Sequence, residues 1–159
     1  MKIDKIITST VEQEVQFEGL TLLSKEEYIK YAESIPPVNF WWWLRSPGYY
    51  RHNAISVDYN GSIDDYEGVS NTDGSVRPTL IVKSSVIQIG DKFNFYGHTW
   101  TVISTHHALC NEEFCCMAFR KDGKAEGDNI YEASDIKKYL DAEWEKMKDG
   151  ERKEDTHET

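Results

Sequence analysis

Six side chains near the middle of the chain could in principle hold a transition metal: His98, His106, His107, Cys110, Cys115 and Cys116. Zinc takes four tetrahedral ligands, usually in pairs separated by two to four residues. His-His-x-x-Cys followed by Cys-Cys fits no such spacing, and adjacent side chains rarely both reach one ion. No metal is therefore expected. Asp58-x-Asn60-x-Ser62 opens like a calcium loop, but its glycine falls at the fourth position and position twelve is Val69. A calcium loop needs glycine at the sixth position and glutamate at the twelfth, so a hairpin turn explains the segment better. Ser46 has no nucleophile-elbow context, and no phosphate loop is present. No catalytic set, and so no enzyme and no cofactor, is expected.

Recognition chemistry is better represented. Trp41-Trp42-Trp43-Leu44-Arg45-Ser46-Pro47-Gly48 places three of the five tryptophans side by side. In a strand, alternate residues face opposite sides. Trp41 and Trp43 would then share one face and Trp42 the other. Two readings stand: all the rings are core, or one face is an exposed aromatic platform. Tyr49, Tyr50 and Arg51 follow Gly48 on an expected loop. With Tyr59 and Tyr66 they are the expected contact surface, because Tyr and Arg give large contacts at modest entropic cost. Arg45 and Arg77 each lie next to or near a proline. They are expected to tie loop carbonyls together, with capture of an anionic ligand as the alternative.

Composition narrows the partners. The 159 residues carry 28 acids against 18 bases, a net charge of -10. Direct nucleic-acid binding is not expected from such a surface. Three cysteines, two of them adjacent, suit a reduced cytoplasmic protein and not a disulfide scaffold. No signal peptide or membrane span is expected.

These residues need elements to position them. Residues 1–23 read as strands. Ser24-Lys25-Glu26-Glu27 has capping-box form and should start a helix that Pro36-Pro37 ends. Asn60-Gly61 predicts a type I′ hairpin, and Asp73-Gly74 another turn. Pro78 breaks, starts or edges its strand. Phe93 to Ile103 reads as a second hairpin, Phe114–Phe119 as a buried strand and Lys121–Lys124 as a turn. Ser134 should cap a helix with Ile136, Tyr139, Leu140, Trp144 and Met147 inward and Gly150 at its end. The fold class is α+β: mostly antiparallel, aromatic-rich sheets with two helices. Residues 1–85 form one part, 86–150 a hairpin-plus-helix module packed on it, and 151–159 a disordered acidic tail.

WWWLRSPG, the Val57-Asp58-Tyr59-Asn60-Gly61 hairpin and Val76-Arg77-Pro78-Thr79-Leu80 together resemble an uncharacterised domain family of gut Firmicutes and their prophages. Its members read W-W-L-R-S-P-G, then V-x-x-x-G, then G-V-R-P-A-L. That pattern is distantly similar to the C-type-lectin-like fold of formylglycine-generating enzymes and of the variable proteins of diversity-generating retroelements. Gly90-Asp91-Lys92-Phe93 through Trp100, and Ser134 through Leu140, resemble further family segments. In the family these precede the tryptophan motif; here they follow it. The resemblance implies a lectin-like first half that displays a ligand-binding face. The expected function is a non-enzymatic recognition protein that binds a protein or small ligand. The alternative is a prophage-encoded inhibitor of a host defence nuclease, acting by protein contact or nucleic-acid mimicry through Asp64-Asp65-Tyr66-Glu67 and Glu112-Glu113.

Overall fold

The computed structural model describes residues 2–7, 12–83, 88–122 and 128–157, with side chains over 16–83, 88–122 and 128–148. The elements run β1 (Lys2–Ile7), β2 (Glu12–Thr21), α1 (Lys25–Tyr31), β3 (Trp42–Pro47), β4 (Asn53–Val57), β5 (Ile63–Gly68), β6 (Ser75–Val76), β7 (Thr79–Val82), β8 (Lys92–Phe95), β9 (His98–Ser104), β10 (His107–Cys110), β11 (Cys115–Cys116) and α2 (Asp135–His157). The fold is α+β. One sheet has the order β1-β2-β7-β10-β9-β8, the other β11-β6-β3-β4-β5. Among the described residues every pairing is antiparallel except β3 with β6, which join in parallel at Trp42 and Ser75. Both halves of the chain contribute strands to both sheets.

Pro78 explains how the chain passes between the sheets. β6 belongs to the five-stranded sheet and β7 to the six-stranded one. Arg77-Pro78 is the two-residue step between them, where the missing proline N–H costs no ladder bond. The early departure of β6 also shortens β11. The expected strand Phe114–Phe119 reduces to Cys115–Cys116, because its partner is only two residues long. The flanking Phe114 and Met117 amides still donate to the Val76 and Gly74 carbonyls at 2.9 Å.

β3 separates two cores. Trp43 belongs to the core that holds Phe17, Phe95, Trp100 and Phe119, together with Ile136, Leu140 and Met147 of α2. Trp42 and Leu44 point the other way, among Leu23, Ile55, Val57, Ile103 and Leu109 beneath Tyr28 and Tyr31 of α1. The period-2 alternation is thus as expected, but both faces are covered. Trp42 is 2% exposed and Trp43 0%, while Trp41 is half-buried against Trp43 at 5.1 Å. The exposed tryptophan platform is accordingly corrected: in a sheet roofed on both sides, rings this large are worth more inside. Burying one indole removes roughly 200 Å2 from water, about 5 kcal/mol.

Both helices start where their caps lie. Ser24 Oγ accepts from the Glu27 amide at 3.1 Å, and the Glu27 carboxylate accepts from the Ser24 amide at 2.8 Å. Ser134 Oγ accepts from the Lys137 amide at 3.0 Å. α2 does not stop at Gly150 but runs to His157. A helical glycine costs only about 1 kcal/mol against alanine, and the Lys, Glu and Arg around it favour helix. One turn also differs from expectation. Gly61 has a positive φ of 86° but Asn60 does not, so the turn is not type I′. The Gly61 amide bonds the Asp58 carbonyl and the Asp58 amide the Ser62 carbonyl, giving a three-residue loop. The primed geometry belongs to Tyr96-Gly97 (φ 53° and 74°), between the paired Phe95 and His98. Part of the expected Lys121–Lys124 turn, and the end of the tail, lie outside the described residues.

Candidate recognition surface

Gly48 lets the β3–β4 loop close tightly. A Cβ there would lie 2.4 Å from the Asp65 carbonyl oxygen. The Gly48 amide instead bonds the Asn53 carbonyl, and the Tyr49 amide the Asp65 carbonyl, each at 2.8 Å. Asn53 does most of the positioning. Its buried Oδ1 accepts from the Tyr50 amide at 3.2 Å, and its Nδ2 donates to the Tyr66 carbonyl at 3.0 Å. One side chain therefore pins both the loop and the strand that carry the tyrosines. Asn129 adds a bond to the Tyr50 carbonyl at 3.2 Å.

The rings so held form one outward patch. Tyr49 lies 4.8 Å from Tyr50 and 5.3 Å from Tyr66, centroid to centroid, and Tyr50 stacks on His52 at 5.6 Å. Tyr49, Tyr50 and Tyr66 are 67%, 54% and 60% exposed. Arg51 is exposed on the same loop. Tyr59 is equally exposed but stands at the opposite end of the β4–β5 hairpin. There it borders a separate cleft of about 350 Å3, whose lining includes Trp42, Tyr28, Pro36, Asn60 and Arg77. The expected contact residues thus divide: Tyr49, Tyr50, Arg51 and Tyr66 together, Tyr59 apart, and the tryptophans inward.

The two arginines hold backbone. Arg77 is 1% exposed; its Nε donates to the Cys110 carbonyl at 2.6 Å and an Nη to the Pro36 carbonyl at 3.0 Å. Arg45 donates to the Leu22 carbonyl at 2.7 Å and pairs with Glu27 at 2.5 Å. Glu27 also meets His107 Nε2 at 3.5 Å. The bonds from His107 and Arg45 hold the Glu27 carboxyl well below the usual carboxylate range, against the opposing effect of burial.

Other candidate groups have structural work. Ser46 Oγ accepts from the Lys25 amide at 2.9 Å. Asn60 Oδ1 accepts from the Ser62 amide at 3.0 Å within the hairpin loop. His106 Nδ1 contacts the Val82 carbonyl at 3.0 Å, and His107 Nδ1 contacts Ser104 Oγ at 2.6 Å. Burial pushes the Cys110 thiol up to about 12 and raises that of Cys115, so neither is a ready nucleophile. Of the six residues considered for metal, His98 and Cys110 do approach each other. They are joined by Glu112, which the Cys/His spacing had left out. Register could have found it. Trp100 pairs with Cys110, so two steps outward His98 stands opposite Glu112.

No described helix is long and apolar enough to cross a membrane. No curated protein and no solved structure matches the chain. A family model does match: it spans residues 8–84, from before β2 through β7, and includes both WWWLRSPG and VRPTL. That model is described as a domain of unknown function, DUF6273, and residues 8–84 of the chain are similar to it.

Proposed function

We propose that the protein is a non-enzymatic recognition module that captures a protein partner on the Tyr49–Tyr50–Tyr66 surface. One observation carries this reading: three exposed rings, in mutual contact, stand on backbone that the buried Asn53 ties together at Tyr50 and Tyr66. An exposed tyrosine usually pays entropy on binding. Here the backbone beneath the rings is fixed in advance, which lowers that cost. Arg51 and His52 add polar donors at the rim. The C-type-lectin-like character of the first half belongs to the same proposal, with loops of a rigid sheet displaying the contact residues. So does action in a reducing cytoplasm, supported by three free cysteines. Nucleic-acid mimicry draws less from the acidic clusters, because several of their carboxylates are already engaged by neighbouring side chains. Asp65 faces Lys25 at 3.5 Å, Glu67 bonds Asn71 at 3.0 Å, and Glu113 bonds Ser75.

The test compares immobilised wild-type protein with the Y49A/Y50A/Y66A variant. Both are exposed to lysate of the source cell, and captured proteins are identified by mass spectrometry. A partner retained by the wild type and lost by the variant supports the reading. Capture that is indifferent to the three substitutions refutes it.

A further inference from the structure

We propose that His98, Cys110 and Glu112 form a binding site for one transition-metal dication of the zinc class. This inference is independent of the tyrosine surface. A ring nitrogen of His98, Sγ of Cys110 and a carboxylate oxygen of Glu112 all lie within 4.8 Å of one another. His98 Nδ1 and Glu112 Oε1 are already 3.2 Å apart. Bonds of 2.0–2.2 Å at a tetrahedral angle put two such ligands about 3.3 Å from each other. An ion can therefore replace the hydrogen bond between His98 and Glu112 with little movement of either. The sulfur, with its longer bond of about 2.3 Å, needs an approach of roughly 1 Å.

The surroundings orient all three groups. The His98 ring stacks on Phe114 at 4.4 Å and 16°. The Thr99 amide donates to Glu112 Oε1 at 3.0 Å, and that oxygen keeps a second lone pair for a metal. The Cys110 carbonyl is fixed by Arg77 Nε at 2.6 Å. Cys110 is fully buried and Glu112 is exposed, so the ion would be dry on one side and open to water on the other. That leaves a fourth position for solvent.

The charges balance. Cys110 gives up its thiol proton to solvent and binds as thiolate. The His98 ring binds through Nδ1 as the neutral tautomer, with its proton on Nε2. Thiolate and carboxylate then neutralise the dication. Bound, the ion would tie the start of β9 to the end of β10, and the folded form would gain stability as free metal rises.

Cobalt(II) is the probe, because thiolate ligation gives a sulfur-to-cobalt charge-transfer band that carboxylate and imidazole alone do not. Metal-free protein should bind one cobalt ion per chain with that band, and zinc(II) should bleach it. H98Q and E112Q alter partly exposed side chains and test the site without opening the core. Each should weaken cobalt binding at least about ten-fold, since even groups one shell further out are worth that much. C110S should abolish the band, while C115A/C116A should keep it. Absence of the band in wild-type protein overturns the proposal. So does a band that survives H98Q and E112Q, or one that disappears in C115A/C116A.

Discussion

The Arg77 guanidinium lies 4.8 Å from the centre of the Trp42 ring. This contact fastens the two sheets at the point where the chain crosses between them. Trp42 sits on β3 of one sheet, and the Arg77 Nε bond reaches β10 of the other. Burial draws the guanidinium down to about 10, so it is still charged at neutral pH. The fork of Arg77 serves two carbonyls and an indole face at once.

Arg77→Lys keeps the charge but not the fork. It should destabilise the protein by about 3 kcal/mol, the scale of a broken buried charged network. Urea unfolding would show this as a lowered midpoint at unchanged slope. A variant as stable as wild type would mean that Arg77 does not fasten the sheets.

Gly74 faces the tryptophan pair from below. An added Cβ would lie 2.2 Å from Trp43 Nε1 and 2.8 Å from the Trp41 ring. Gly74→Ala must push aside an indole whose N–H donates to the Met117 carbonyl at 2.9 Å. A loss of about 3 kcal/mol is expected. The shift should appear in near-ultraviolet circular dichroism as well as in the denaturation midpoint.

Glu27 sets an acid limit on stability. Its carboxyl is held below an ordinary value of 4.5 in the folded protein. The folded state therefore binds fewer protons than the unfolded one in acid. The stabilisation is fully present above that ordinary value and is lost as pH falls below it towards the lower folded value. Glu27→Gln should flatten the acid limb of a stability–pH curve recorded between pH 6 and roughly pH 3. An unchanged acid limb would show that the contacts with His107 and Arg45 contribute nothing to folding.

What the sequence reveals here is local chemistry. Ser24 and Glu27 form a capping box because four consecutive residues suffice to specify it. Trp42 and Trp43 alternate because strand geometry demands it. What lay beyond reading depends on neighbours distant in the chain. Whether the tryptophans are roofed is decided by α1 on one side and α2 on the other. Phe114–Phe119 has strand composition, but its pairing ends where Pro78 takes β6 out of the sheet. Tyr96-Gly97 adopts the turn geometry that Asn60-Gly61 advertises, because the paired Phe95 and His98 leave only two residues to close that hairpin. Glu112 joins His98 only through the register of β9 on β10. Among the contact residues, position on a loop separated exposed Tyr49, Tyr50 and Tyr59 from the buried tryptophans, while Tyr66 is exposed on β5, the edge strand of its sheet.

The direct measurement is the affinity of the captured partner for three proteins: wild type, Y49A/Y50A/Y66A, and Y59A. Titration calorimetry should give a loss of at least about thirty-fold for the triple variant, the effect of one energetic hot spot. Y59A, at the far end of the hairpin, should stay close to wild type. Equal affinity for wild type and triple variant, with both folded, would contradict a tyrosine recognition surface.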